Sequence, residues 1–259
     1  MLRKINFILK YSAISLFILP LTIFSAYSQE MGKMNMDTLA SKKKGMDMQN
    51  EAMLPMPFST HMGIPLKVGT YNLRMAGLPT QNDGSTVTQY NFQFETGLSK
   101  TIGLFIGGEG LFNNTTLEAM FQFLAWKSKN GMNGASAIVE FEFPLGPEAA
   151  EKVYTLVGFS STFSNSHIAF NQVLHYSPIE NLGEGSVSFL YKASKRIYLI
   201  SELSGVVQKG ELPILNLLGG VKVRVTSFLL LGIGYRVPIT TSRDFSSQYI
   251  IQSDMQWKK

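Results

Sequence analysis

The chain has 259 residues and no cysteine, and its 23 basic and 18 acidic residues give a formal net charge of +5. The lack of cysteine excludes disulfides, thiolate metal sites and cysteine nucleophiles. Arg3, Lys4 and Lys10 hold much of the positive excess, so the rest of the chain gives no reason to expect a nucleic-acid partner.

The first predicted element is a secretory signal peptide over residues 1–28. A positively charged start and a largely apolar stretch are followed by Ala26-Tyr27-Ser28, where small residues suit signal peptidase. An uncleaved anchor helix is the alternative, and Pro20 within the apolar stretch favours cleavage. The rest of the chain has no apolar run of the roughly 18 residues that a spanning helix needs, so we expect none.

Residues 29–66 form the second predicted part, a flexible and mostly disordered periplasmic tail. The stretch is polar, carries lysines and has no consistent hydrophobic period. Its basic patch, residues 41–45, is typical of a solvated segment, which we favour over a specific anion site.

Residues 67–259 are predicted to form short strands, because polar and apolar side chains alternate with period two. Residues 89–95, for example, alternate polar side chains with aromatic ones. The predicted strands are 68–77, 86–98, 102–112, 115–126, 134–143, 152–162, 167–176, 185–193, 197–207, 214–225, 228–237 and 246–257.

These strands predict an all-β fold, an antiparallel transmembrane β-barrel of about 12 strands with lipid outside and a wet lumen. Each strand is close to the roughly 9–11 residues that a tilted strand needs to cross a bilayer. An even strand number places both termini on one side, which is the periplasm in bacterial outer membranes. A soluble periplasmic β-sandwich is the alternative, and outward-facing aromatic residues disfavour it.

The same alternation assigns one set of charged side chains to the lumen. Arg or Lys facing lipid near the bilayer midplane costs roughly 2–4 kcal/mol, so charges should share the inward parity. They either pair and fill a narrow barrel or line a solute path, and the two interpretations are compatible. The predicted lumen-lining residues are Arg74, Glu95, Glu118, Glu140, Glu142, Glu202, Lys222, Arg224 and Arg236.

Methionines are concentrated in the tail, and their thioether sulfurs suit soft ions such as Cu(I) and Ag(I). The alternative is that methionine is a flexible filler that docks into the barrel mouth. We expect no other cofactor. The candidate metal ligands are Met34, Met36, Met46, Met48, Met53, Met56, His61 and Met62.

Two patterns could indicate an enzyme, and we interpret neither as an active site. Glu140 and Glu142 share one face, which strand parity alone explains. Ser164 and Ser166 lie near His167, but serine beside histidine is common in turns. We therefore expect a protein that is not an enzyme.

The end of the chain and three internal segments carry a family resemblance. Trp257 closes the last predicted strand, which resembles the terminal signal that outer-membrane barrels present to the barrel assembly machinery. The two lysines that follow are a departure, because such barrels usually end on the aromatic residue. Residues 68–71, 141–144 and 216–222 resemble small bacterial outer-membrane barrels of the transporter type, among them the phenol-degradation-pathway barrel family. The resemblance implies an outer-membrane location and solute passage, and it carries over no site residue.

Together these features predict a porin-like outer-membrane barrel of a Gram-negative cell that passes or binds a small solute in a copper or soft-metal setting. Its expected partners are outer-membrane lipid, the barrel assembly machinery, and a small solute or metal ion. The alternative is a plugged structural or binding barrel whose tail recruits a periplasmic partner.

Overall fold

The computed structural model describes residues 54–82, 84–111, 115–145 and 153–259. The predicted signal peptide and the predicted tail up to residue 53 lie outside the described residues. Within those ranges the chain forms strands β1 (Thr70–Asn82), β2 (Ser85–Gly97), β3 (Ile102–Leu111), β4 (Thr115–Lys127), β5 (Gly134–Leu145), β6 (Tyr154–Ser164), β7 (Ile168–Ser177), β8 (Leu182–Lys192), β9 (Ile197–Gln208), β10 (Ile214–Arg224), β11 (Leu229–Pro238) and β12 (Ser247–Lys258).

The strands form one closed barrel in which each strand pairs antiparallel with its neighbours in sequence. Closure comes from β1 and β12, where Thr70 lies opposite Lys258, so each of the twelve described strands is paired along both of its edges. The start of β1 and the end of β12 therefore lie at one end of the barrel, here called the tail end. The opposite end is called the far end. The predicted antiparallel barrel is confirmed.

The observed strand ends lie close to the predicted ones, with β1 as the largest difference. β1 was predicted to end at residue 77, yet its pairing with β2 continues to Asn82 opposite Ser85. Pro79 within this stretch favoured a loop, but it occupies a strand position opposite Thr88. The chain then reverses at Gly84, whose φ of 86° suits glycine.

The outer surface of the barrel is apolar. Ile233 and Ile251 lie opposite each other on β11 and β12 and are 59% and 58% exposed. Exposed aromatic residues lie toward both ends, such as Trp126 and Trp257 at the tail end and Tyr176 at the far end. An apolar band between aromatic residues is the surface that a bilayer requires.

No helix of the described residues is long and apolar enough to cross a membrane.

The inside of the barrel holds residues 54–69, here called the lumenal segment, which precede β1. The segment has no regular secondary structure until a parallel bridge joins Val68 to Gly97. Its prolines, Pro55, Pro57 and Pro65, favour an extended backbone and remove three backbone donors that burial would leave in need of partners.

Most of the lumenal segment is buried against the inner wall. This differs from the prediction of a flexible tail over 29–66, because residues 54–66 pack inside the barrel. The alternation of Met56, Phe58, Met62, Ile64 and Leu66 supplies the apolar surface that makes such packing favourable. The rest of the predicted tail lies outside the described residues.

Candidate functional site: the barrel lumen

Two cations of the barrel wall hold the carbonyl groups at the start of the lumenal segment. Lys222 Nζ donates to the carbonyls of Met56 and Pro57 at 2.8 and 3.1 Å, and Arg74 Nη1 donates to the carbonyl of Phe58 at 3.2 Å. Asp254 balances both charges, with carboxylate oxygens 2.6 Å from Lys222 Nζ and 3.3 Å from Arg74 Nε. A buried charge requires such pairing.

One carboxylate holds the amide groups of the next residues. Glu202 on β9 accepts hydrogen bonds from the backbone N–H groups of Phe58, Ser59 and Thr60, the Ser59 bond being 3.0 Å long. Charged acceptors make stronger hydrogen bonds than neutral ones. The donors and acceptors of residues 56–60 are thus held by opposite charges on different strands.

Neutral side chains from β4, β5 and β6 hold the later part of the lumenal segment. Gln122 donates to the carbonyl of Met62 at 2.6 Å. Ser136 donates to the carbonyl of Gly63 at 2.8 Å, while Thr162 accepts from its N–H at 2.7 Å. Because these strands and β1, β9 and β10 surround the segment, it is held from several sides of the lumen.

Apolar packing supports these polar contacts. Phe58 lies in a buried cluster with inward-facing residues that include Leu190, Leu218 and Ile250. Met56 and Met62 lie in a second cluster with Phe105, Met120, Ile138 and Val173. The lumen is therefore less polar than strand alternation predicted, because inward apolar residues meet apolar residues of the segment.

A glycine allows Phe58 to approach the wall closely. A Cβ added at Gly232 would lie 2.9 Å from the Phe58 ring and 3.0 Å from Lys222 Cγ. Gly232 lies opposite both Lys222 and Gln252 in the register of β10, β11 and β12. The missing side chain lets Lys222 cross β11 and reach Asp254.

A small cavity of about 30 Å³ lies toward the tail end, with Met56, Met62 and Arg224 among its lining residues. Met56 Sδ accepts a hydrogen bond from Asn72 at 3.1 Å. His61 does not line this cavity; it packs edge-on against Phe105, with ring centroids 4.9 Å apart. The described ranges contain no group of three or more His, Asp or Glu residues that could hold a metal ion.

The structure therefore brings Met56 and Met62 together at the small cavity, whereas His61 lines the vestibule described below. Both methionines pack as core residues. The remaining candidate metal ligands, Met34, Met36, Met46, Met48 and Met53, lie outside the described residues.

A larger cavity of about 160 Å³, here called the vestibule, lies toward the far end. The lumenal segment contributes Phe58, Ser59 and His61 to it. Ser59 and Glu109 are exposed, so the vestibule is open to solvent. Burial lowers the pKa of His61 to about 3, and the charge of Arg74 acts in the same direction, so this imidazole is neutral.

Carboxylates are concentrated on the wall around β4 and β5. Glu118 and Glu142 lie directly opposite each other, an arrangement that like charges normally avoid. Glu140 lies 3.1 Å from His175 Nδ1, and Glu184 lies opposite His175 in the pairing of β7 with β8. The lumen is thus acidic on one side, while Lys222 and Arg74 supply positive charge on another.

The nine residues predicted to line the lumen have the following positions. Arg74, Glu95, Glu140, Glu202 and Lys222 are buried, with exposures of 6% or less. Glu118 and Arg236 line the vestibule, and Arg224 lines the small cavity. Glu142 is half-buried and shares the strand parity of Glu140.

Sequence reasoning missed three important lumen residues. Asp254 was visible as a polar member of the alternating last strand, but it was not assigned a role. Glu109 lies four residues after the inward-facing Phe105 on β3 and therefore faces inward as well. The glycines around it obscured the alternation of polar and apolar residues. Phe58 belongs to an apolar period-two pattern that continues to Leu66, which would have indicated an extended, packed segment.

The serine and histidine near residue 167 lie away from the vestibule, in the turn between β6 and β7 at the tail end. Ser166 Oγ lies 2.8 Å from His167 Nδ1, and both residues are exposed. Ser164 instead donates to the carbonyl of Met132 at 2.6 Å.

A closed antiparallel barrel with an apolar outer surface and charged inner wall defines a transmembrane β-barrel. No family model matches the chain, and no curated protein matches it. Among solved structures, the KdgM porin is 6% identical with a TM-score of 0.57, the match covering 71% of this chain and 98% of the porin.

Two further structures share the fold. The NanC porin is 7% identical with a TM-score of 0.54, and the match covers 73% of this chain and 99% of that one. An outer-membrane channel from Pseudomonas putida F1 is 9% identical with a TM-score of 0.54, covering 75% and 97% respectively. At such identities the likeness is one of fold, and that fold is the barrel of small outer-membrane channels.

Proposed function

We propose that this protein is an outer-membrane channel for a small solute and that residues 54–69 control passage through its lumen. The observation that carries the proposal is the way the segment is held. Its backbone is bound by Lys222, Arg74 and Glu202 through hydrogen bonds, which can break and re-form without covalent chemistry. Withdrawal of the segment would leave a charged, water-compatible path.

The fold supports the same proposal. A KdgM porin has been solved in complex with disordered oligogalacturonate, with a TM-score of 0.55 to this chain. We propose solute passage for this protein as well, but we do not propose oligogalacturonate as its solute. In this proposal the tail end of the barrel, where β1 begins and β12 ends, faces the periplasm. Bacterial outer-membrane barrels with an even number of strands keep their short turns and both chain ends on that side.

Single-channel conductance in a planar bilayer tests the proposal, with the full mature chain compared with Glu202→Gln. The neutral amide cannot offer the same charged acceptor to the N–H groups of residues 58–60. We expect the parent to be mostly closed and the variant to spend at least tenfold more time in a conducting state. Glu211→Gln, an exposed site between β9 and β10, is the matched control.

A variant that lacks residues 29–66 completes the test, and it should conduct continuously. Silence from every form, with heat-modifiable electrophoretic mobility showing folded barrels, would contradict passage. It would favour the second candidate, a filled binding or structural barrel whose tail recruits a periplasmic partner. The charge-bound lumenal segment is the observation that favours this candidate.

The soft-metal setting is a separate proposal. Met56 and Met62 pack as core residues, whereas the other candidate methionines precede them in the chain, so the proposal concerns the earlier part of the tail. Replacing Met34, Met36, Met46, Met48 and Met53 by leucine should increase the copper sensitivity of cells if the tail handles Cu(I). Met56→Leu with Met62→Leu should leave it unchanged. Unchanged sensitivity in the first variant would contradict metal contact by the tail.

A further inference from the structure

Four residues that line the vestibule each carry a buried polar atom that has no hydrogen-bond partner within the described residues. They are His61 Nδ1, Arg74 Nη2, Arg236 Nε and Gln252 Oε1. Arg74 and Gln252 are only 6% and 3% exposed. A buried polar group without a partner is costly, and folded proteins rarely leave several around one cavity. The arrangement points to a bound molecule.

The other polar atoms of these side chains are engaged, which fixes their orientation. Arg74 Nη1 is bound to the carbonyl of Phe58, and Arg236 Nη1 donates to Gln248 at 3.1 Å. Gln252 Nε2 donates to Asp254 at 2.7 Å, which leaves its carbonyl oxygen free. Side chains held in this way are preorganised for a ligand and lose little entropy when it binds.

The charges of the vestibule have both signs. Arg74 and Arg236 offer guanidinium donors, which suit a carboxylate. Glu109 and Glu118 also line it, and Asn91 donates to one oxygen of Glu109 at 3.3 Å, leaving the other oxygen available. A ligand with one sign of charge would be repelled either by the two arginines or by the two glutamates. A ligand that carries both a positive and a negative group could pair with all four side chains.

Apolar side chains complete the lining, including those of Phe58, Leu78 and Ile250. The volume of about 160 Å³ is roughly ten times what one water molecule needs, so a molecule of several non-hydrogen atoms fits. We propose that the vestibule binds an aliphatic amino acid, with its carboxylate on Arg74 and Arg236 and its ammonium on Glu109 and Glu118.

This binding does not require passage through the barrel, since the vestibule is already open at the far end while the lumenal segment is in place. The test therefore uses the full mature chain in detergent micelles and isothermal titration calorimetry. The probes are L-leucine, 4-methylpentanoate, which lacks the ammonium, and 3-methylbutan-1-amine, which lacks the carboxylate. L-Leucine should bind at least tenfold more tightly than either single-charge analogue.

Two variants assign the two ends of the ligand. Arg236→Gln should weaken leucine binding at least tenfold and leave 3-methylbutan-1-amine unaffected. Glu118→Gln should weaken leucine and the amine and leave 4-methylpentanoate unaffected or tighter. Arg243→Gln, at an exposed position between β11 and β12, is the control and should bind leucine like the parent.

The proposal fails if leucine gives no binding heat, if an analogue binds as tightly as leucine, or if both vestibule variants bind leucine like the parent. Folding of each variant is checked by heat-modifiable mobility. Conductance plays no part in this readout, so a barrel that binds leucine but is silent in every form, including the variant that lacks residues 29–66, would refute the channel proposal alone. A conducting barrel that ignores leucine would refute this inference alone.

Discussion

The Lys222 ammonium on β10 lies 2.6 Å from the Asp254 carboxylate on β12, so the pair spans the intervening strand β11. Lys222 is fully buried, and the same ammonium also binds the carbonyls of Met56 and Pro57. One cation thus joins the barrel wall to the lumenal segment.

Removing this cation should destabilise the protein. Lys222→Met leaves Asp254 buried with only Arg74 as its ion-pair partner, and losing one member of a buried pair costs about 3–5 kcal/mol. Because Arg74 remains, we expect the free energy of unfolding to fall by an amount near the lower figure. Urea unfolding of the barrel in lipid vesicles measures this change. The double variant Lys222→Met with Asp254→Asn should lose less than the sum of the two single changes. If the free energy of unfolding of Lys222→Met lies within about 0.5 kcal/mol of the parent value, the stabilising role of the Lys222–Asp254 pair is contradicted.

A methyl group at Gly232 should loosen the lumenal segment. Gly232→Ala places a Cβ 2.9 Å from the Phe58 ring, and overpacking of this kind costs about 1–3 kcal/mol. Because the chain has no cysteine, Thr60→Cys supplies a single buried reporter for thiol labelling. The labelling rate should rise roughly tenfold or more in the Gly232→Ala background.

Gly219→Ala is the matched control for that change. Gly219 lies on β10, and an added Cβ would have no neighbour within 4 Å. Labelling of Thr60→Cys should therefore be unchanged in this background. An equal increase in both backgrounds would show that the effect is not caused by contact with Phe58.

Acidification should favour release of the lumenal segment. The pKa of His61 is lowered to about 3 when the segment is packed, mainly by burial, from an ordinary value of 6.5. The released segment therefore binds a proton that the packed one does not, so packing is fully stable above about pH 6.5 and weakens as the pH falls toward 3. Each pH unit below 6.5 should shift the equilibrium by up to about tenfold.

The readout is labelling of Thr60→Cys between pH 7.5 and 5, normalised at each pH to the unfolded protein. Arg74, His175, Glu109 and Glu118 are also charged or titratable groups near the vestibule. His61→Gln therefore serves to isolate the imidazole and should flatten the pH dependence. If the dependence persists undiminished in His61→Gln, these other groups control it instead.

A charge on the outer surface should destabilise the barrel in a depth-dependent way. Ile233 lies in the middle of β11 and is 59% exposed, so Ile233→Lys should cost about 2–4 kcal/mol in lipid vesicles. Ile179 lies in the connection between β7 and β8, and Ile179→Lys should cost nearly nothing there. Equal effects at the two sites would argue against lipid around β11.

Most of the barrel could be predicted because its signal is local. The alternation in residues 89–95 follows from the period of two along a strand, and each strand repeats that signal independently. The predicted inward orientation of Arg74, Glu202 and Lys222 had the same origin. Pro79 shows where local signals fail, since pairing with the neighbouring strands extended β1 past a residue that normally marks a loop.

The filled lumen could not be predicted in the same way. Residues 54–66 are largely apolar, but they follow a polar stretch that has no regular period, so the tail as a whole resembled a flexible segment. Their packing depends on groups far away in sequence: Glu202 is 143 residues from Ser59, and Lys222 is 166 residues from Met56. A vestibule assembled from β1, β2, β3, β4, β11 and β12 likewise exists only once the barrel has closed.

The amino-acid sequence by itself determined an antiparallel barrel, its inward charges and its apolar outer surface, because each depends on side-chain alternation within a single strand. Only the tertiary structure decided what those charges do. Closure of β1 on β12 brings distant strands around one volume, and the energetic cost of burying charge then requires each cation and carboxylate to find a partner. Lys222, Arg74 and Glu202 find theirs in the backbone of the lumenal segment, whereas part of Arg74 and of Arg236 stays free beside the vestibule.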